Sequence, residues 1–144
     1  MRDVARNILA VVAGILIGGL VNMALVTAGP QVFPPPPGAD LNTAEGLAAA
    51  MPLLRPEHFV FPFLAHALNA FVGALVAFLM AVSRREALAW GVGGFTMLGG
   101  VAASVMIPAP VWFKVLDLTA AYLPMAWLAI QAGRRLKPAA PPPA

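Results

Sequence analysis

The chain has 144 residues, of which 60% are hydrophobic and only 10% charged, with nine Lys or Arg against six Asp or Glu and a formal net charge of +3. A soluble domain carries roughly 25% charged residues, so this one has too few to clothe a water-facing surface, and its mean hydropathy of +0.84 makes lipid the natural solvent. The absence of cysteine excludes thiol and disulfide chemistry, and the basic residues stand in short pairs beside apolar runs, a pattern of membrane topology and not of a phosphate-reading face, so no nucleic-acid partner is expected.

The first apolar run, 8–28, is long enough to span a bilayer, which takes about 20 residues. Arg2 and Arg6 precede it and Val26, Thr27 and Ala28 resemble a cleavage site. Its length exceeds the 7–15 residues of a signal-peptide core, so a retained helix is expected. Ala10, Gly14, Gly18 and Asn22 recur every four residues along one face.

The segment 29–58 reads as an extracytoplasmic loop. Pro34, Pro35, Pro36, Pro37 and Gly38 form a stiff polyproline spacer followed by a turn. Asn42 and Glu45 resemble the N-cap and N3 of a capping box. With Leu47, Met51 and Leu54 at helical spacing, a short interfacial helix over 43–51 is expected on the outer membrane surface. Pro56 then suits the first position of the next helix.

The second run, 59–83, carries His66 and Asn69 one turn apart, with Asn69, Gly73 and Ala77 on one face. The third, 87–107, is rich in glycine and sets Thr96, Gly100 and Ser104 in a row. A short turn around Pro108 and Pro110 leads to the fourth run, 111–133. Here Pro124 cannot donate to the carbonyl of Ala120 and should kink the helix. The tail, 138–144, is Pro- and Ala-rich and has nothing apolar to pack.

Backbone groups in hydrocarbon must be bonded within the segment, so the four runs are helices. Arg2, Arg6, Arg84, Arg85, Arg134, Arg135 and Lys137 fall on one side and Arg55 and Lys114 on the other. Under the positive-inside rule both termini are cytoplasmic. Trp112 suits the outer interface and Trp90 the inner one. The expected fold is an all-α, antiparallel bundle of four transmembrane helices forming one domain over 1–137. Gly14, Gly18, Gly73, Gly94 and Gly100 are the expected helix-packing positions, because small residues let helices approach in lipid. Gly14, Gly19 and Pro30 align with Gly94, Gly99 and Pro110 at a shift of 80, a faint internal repeat that chance placement of glycine and proline explains as well.

At about 1.5 Å per residue, Asn22, His66, Ser104, Asp117, Thr119 and Tyr122 all fall in the outer half of the bilayer. Asn22, His66, Asn69, Ser104, Asp117 and Tyr122 are therefore the candidate polar cluster. Ionisable residues within spans mark functional sites by default, and an outward-facing pocket with His66 as acid, base or ligand partnered by Asp117 is one reading. The other is structural: His66 and Asn69 bond across helices, and Asp117 pairs with Lys114 one turn away. His58 and His66 are eight residues apart and lack a third ligand, and the methionines suit packing better than copper, so neither metal nor cofactor is expected. Phosphate-loop, nucleophile-elbow and zinc-helix motifs are absent.

The residues Pro34, Pro35, Pro36, Pro37, Gly38 and Asp40, the block His58, Phe59 to Ala65, His66, Ala67 and Leu68, the turn Ile107 to Phe113 and the segment Tyr122 to Trp127 resemble an uncharacterised family of small bacterial four-helix integral membrane proteins. The resemblance implies a four-helix topology and a bacterial inner membrane, and it brings no activity. The expectation is a non-catalytic, multi-pass protein, an accessory or structural component in the lipid bilayer, packing as a homo-oligomer or within a larger membrane complex. The alternative is a small transporter, channel or lipid- or metal-handling protein built on the cluster around His66.

Overall fold

The computed structural model describes residues 1–138, and these are mostly helical. The elements are α1 (Arg2–Val32), α2 (Ala44–Ala50), α3 (Val60–Met80), α4 (Arg85–Met106), α5 (Val111–Ala120) and α6 (Leu123–Leu136). Single 3-10 turns, Met51–Leu53 and Pro56–Phe59, lie between α2 and α3. Four helical stretches are long and apolar enough to cross a membrane: Arg2–Val32, Pro56–Met80, Arg85–Met106 and Val111–Leu136. The tail expected over 138–144 lies, after Pro138, outside the described residues.

Hydropathy locates each span, and backbone chemistry sets its ends. α1 outruns the apolar stretch 8–28 at both ends: at the start because the charged Arg2, Asp3 and Arg6 continue a helix as readily as apolar residues, and at the end through Gly29, Pro30, Gln31 and Val32. It stops at Phe33, which precedes Pro34 and is pushed to φ −119°, ψ 85°. α4 stops in the same way at Ile107, extended ahead of Pro108. The turn from α3 to α4 closes on Arg84, whose φ of 50° lies in the left-handed region.

The fourth span is two helices. α5 ends at Ala120 and α6 begins at Leu123, with Pro124 in its first turn. The missing N–H of Pro124 does more than kink the chain, because α6 restarts on a new bond from the Ala126 N–H to the Tyr122 carbonyl. The loop helix is shorter than expected and its cap differs. Thr43, not Asn42, accepts from the Gly46 N–H (3.1 Å), while Asp40 takes up the Asn42 N–H and the Thr43 hydroxyl at 2.8 and 2.7 Å. This helix and the 3-10 turn after it pack inward, burying Ala50 and Met51.

α3 is the central element, packed against α1, α4 and α6. Ala70, Ala74 and Ala77 on it are fully buried. α1 meets α3 through glycine: a Cβ on Gly14 would stand 2.5 Å from the Gly73 carbonyl, and one on Gly18 2.5 Å from Asn69 Oδ1. Gly73 and Gly100 are likewise closed in, Gly73 by α1 and Val92 and Gly100 by the Tyr122 ring. Within the chain Gly94 packs against no other helix, for nothing lies within 4 Å of its Cβ direction. The residue that meets α6 is Gly93, where an added Cβ would stand 2.5 Å from the Ala126 Cβ. One residue turns a helix by about 100°, which carries Gly94 off the seam. Gly19 and Gly99, two other positions of the faint repeat, are equally open.

Polar contacts define two ends. At the terminal end Asn7 donates to Ser83 Oγ (2.8 Å) and accepts the Val82 N–H (3.1 Å), tying the start of α1 to the α3–α4 turn. There Arg134 holds Glu86 through two bonds of 2.8 and 2.7 Å, and Lys137 Nζ donates to the Leu79 carbonyl at 2.8 Å. The loop end gathers the last turns of α1, the loop, the start of α3 and the α4–α5 turn.

Candidate functional site

The loop end is built on aromatic side chains. Phe59 touches Phe113 with ring centroids 4.8 Å apart and Trp112 edge-on at 5.3 Å, and Phe33 meets Phe61 at 6.1 Å. Met51, Phe59 and Phe113 form a buried cluster joined by Leu47 and Leu54, which is how the loop helix is fastened to the bundle. His58 clasps the polyproline strand to this cluster. Its Nδ1 accepts the Arg55 N–H at 3.0 Å, which leaves Nε2 to donate to the Pro34 carbonyl at 3.1 Å.

These elements enclose a chamber of about 560 Å³. Its wall is mainly apolar, with Met23, Val26, Phe33, Leu47, Met51 and Phe113 among the lining residues. The volume falls in the range of roughly 300–1,000 Å³ typical of small-molecule sites.

His66 lines this chamber, and Asp117 and Tyr122 stand behind it. α3 carries His66 nearly two turns in from its start, and α5 carries Asp117 on its buried face beside Phe113. The α5–α6 break turns Tyr122 back toward both. His66 Nδ1 lies 2.9 Å from each oxygen of Asp117. The Tyr122 hydroxyl donates to Asp117 Oδ2 at 3.0 Å. The Tyr122 ring also stacks on the imidazole, centroids 5.7 Å apart and 26° from parallel.

The Asp117 side chain is 7% exposed and that of His66 25%. A carboxylate so deeply placed needs donors on its oxygens, and the His66 N–H and Tyr122 O–H supply them. Because the carboxylate accepts, Nδ1 carries the proton. Nε2 then holds a lone pair in the neutral ring and an N–H in the imidazolium. Among the described residues Nε2 has no hydrogen-bond partner. An imidazole oriented and charge-balanced by a buried carboxylate can exchange a proton or a hydrogen bond with a molecule in the chamber.

The remaining candidates sit elsewhere. Asn69 is one turn further along α3, its Oδ1 against Gly18 of α1. Asn22 is half-buried on α1, and among the described residues no hydrogen bond links it to His66, Asp117 or Tyr122. Ser104 turns its hydroxyl back to the Val101 carbonyl at 2.7 Å, and Thr119 does the same to Val115 at 2.6 Å. The expected Asp117–Lys114 pair does not form. Lys114 Nζ donates to the Ser104 carbonyl at 2.6 Å, closing the α4–α5 turn. Backbone acceptors are invisible in a residue list, so this partner had no signature. The clasp role of His58 had one: a histidine beside the entry to a span and a proline-rich stretch with unpaired carbonyls.

The chain matches no protein-family model, no curated protein and no solved structure.

Proposed function

We propose that this protein is a non-catalytic, multi-pass membrane protein of the bacterial inner membrane that holds an apolar molecule by a polar head in the chamber at its loop end. The observation that carries this reading is the His66–Asp117–Tyr122 unit, which brings one oriented imidazole edge to a largely apolar wall. An unmatched histidine in a span is costly. Here its cost is met by Asp117 and Tyr122, and only one nitrogen is used in the process. The ligand class that suits this wall is a hydrocarbon chain or ring system ending in a hydroxyl, carbonyl or carboxyl group. The antiparallel four-span arrangement with both termini cytoplasmic, supported by the seven-to-two division of basic residues, opens the chamber to the extracytoplasmic side.

The test is photolabelling of the purified protein in detergent with a long-chain fatty acid carrying an alkyl diazirine. Label is expected on peptides from the end of α1, the loop and the start of α3. His66→Leu should reduce it by about tenfold, the weight of one hydrogen bond to a polar head. Label spread evenly over the lipid-facing helices and indifferent to His66→Leu would overturn the proposal.

A second reading, a component that packs with a larger membrane partner or a second copy, has its own support. Gly91, Gly94 and Gly99 of α4 face open space, leaving a smooth helix surface without an intramolecular neighbour. Gly94→Cys in this cysteine-free chain should give a disulfide-linked product in native membranes, and recovery of monomer alone would count against the reading.

A further inference from the structure

At the terminal end, well away from the chamber, a second cavity of about 600 Å³ opens between the α3–α4 turn and the end of α6. Arg84, Arg85, Arg134 and Lys137 line it, and Phe78 and Ala87 provide apolar wall. One carboxylate, Glu86, shares the site, and both of its oxygens are taken by Arg134. Four cations against one carboxylate leave an excess of three positive charges around one recess. Lys137 Nζ is anchored on the Leu79 carbonyl, and Arg85 reaches only the Lys137 carbonyl at 3.5 Å. Among the described residues the Arg84 guanidinium makes no hydrogen bond, and Arg84 is exposed.

Topology alone requires basic residues here but does not require them to surround an apolar recess. The position sits at the margin of the spans, where the ends of Pro56–Met80, Arg85–Met106 and Val111–Leu136 meet. Phosphate head groups lie at that depth. Basic pockets between membrane helices are suited to anionic head groups, and each Lys or Arg near a negatively charged leaflet adds about 1 kcal/mol of attraction. Arg84 and Arg85 bring paired guanidinium forks that match phosphate oxygens, while the Phe78 and Ala87 wall suits the first carbons of an acyl chain.

We infer that this recess is a binding site for the phosphate head of an anionic membrane phospholipid, held by Arg84 and Arg85 in the leaflet that borders the terminal end. The site is separate from the chamber and does not depend on what the chamber holds.

Native mass spectrometry of the detergent-purified protein, titrated separately with phosphatidylglycerol, phosphatidylcholine and inorganic phosphate, tests it. A saturable phosphatidylglycerol adduct is expected, with phosphatidylcholine bound at least tenfold more weakly and millimolar inorganic phosphate failing to displace the lipid. The double variant Arg84→Gln, Arg85→Gln should weaken the adduct by roughly 30-fold, about fivefold for each arginine. Ala87→Leu keeps every charge and fills the wall, and should weaken phosphatidylglycerol as well. Arg55→Gln, at the other end, should leave it unchanged. Equal adducts for the two lipids, or a phosphatidylglycerol affinity that neither the double variant nor Ala87→Leu lowers, would overturn the inference. Competition by inorganic phosphate would assign the recess to a free anion and overturn the lipid assignment. Helical circular dichroism of each variant confirms that a loss is not unfolding.

Discussion

His66 is tied to Asp117 and Asp117 to Tyr122, but the three side chains do not contribute equally. Interhelical hydrogen bonds in membrane proteins average about 0.6 kcal/mol and reach about 1.7. Tyr122→Phe removes one donor and keeps the ring, so its destabilisation should fall within that range. His66→Leu leaves a nearly buried carboxylate with a single donor and should cost several times more, since stranding one member of a buried pair is the expensive event. Denaturant unfolding in mixed micelles measures both, and equal costs would mean that the His66 bond is not the larger of the two. Asp40 offers a titration outside the spans. Hydrogen bonds from the Asn42 backbone and the Thr43 hydroxyl hold its carboxyl below the ordinary value of 3.8. A carboxyl lowered in the folded loop contributes in full above that ordinary value, and the contribution fades as pH falls through the lower, folded one. The amide resonances of Asn42 and Thr43 should therefore shift with a midpoint below the ordinary 3.8, and Asp40→Ala should abolish that step.

At the scale of the element, the glycines of α4 separate packing from composition. Gly93→Ala drives a methyl toward Ala126 and should destabilise by about 1–3 kcal/mol, as overpacking does. Gly94→Ala meets open space and, by relieving the helical cost of glycine, should be neutral or stabilising by up to ~1 kcal/mol. Thermal unfolding of the two single variants decides the matter, and a reversal of their order would place the α4–α6 seam elsewhere. The same pair shows what could be read in the chain and what could not. Hydropathy and a rise per residue located four helices and the common depth of His66, Asp117 and Tyr122. Depth carries no azimuth, so Asn22 and Ser104 entered the candidate set though, among the described residues, Asn22 makes no hydrogen bond to the cluster and the Ser104 hydroxyl turns back to Val101. Gly94 stood in for Gly93 for the same reason. The split at Ala121 was half legible, because Pro124 announces a defect without stating whether the helix bends or restarts. The chamber was not legible at all, since it depends on the segment between α1 and α3, 33–59, folding back over the helices through Met51 and Phe59 onto Phe113.

The molecule as a whole has a charged end and an aromatic end. Its lack of cysteine makes sidedness directly measurable. Ala5→Cys and Ala48→Cys place single thiols at exposed positions of the terminal end and the loop helix respectively. If both termini are cytoplasmic, as proposed, a membrane-impermeant maleimide added to intact cells should label only the second, and lysis should be needed for the first. Labelling of the first alone in intact cells would invert the topology and turn the chamber toward the cytoplasm.

The broken fourth span also sets an order of events during synthesis. α1 buries little of itself and can dwell in lipid alone; α3 follows it and α4 follows α3, completing every seam that involves glycine on α1. Throughout that interval His66 lacks its carboxylate, because Asp117 and Tyr122 arrive only with the fourth span. Of the four spans, the last to be made is therefore the one that gives the imidazole its hydrogen-bond partner and backs the chamber.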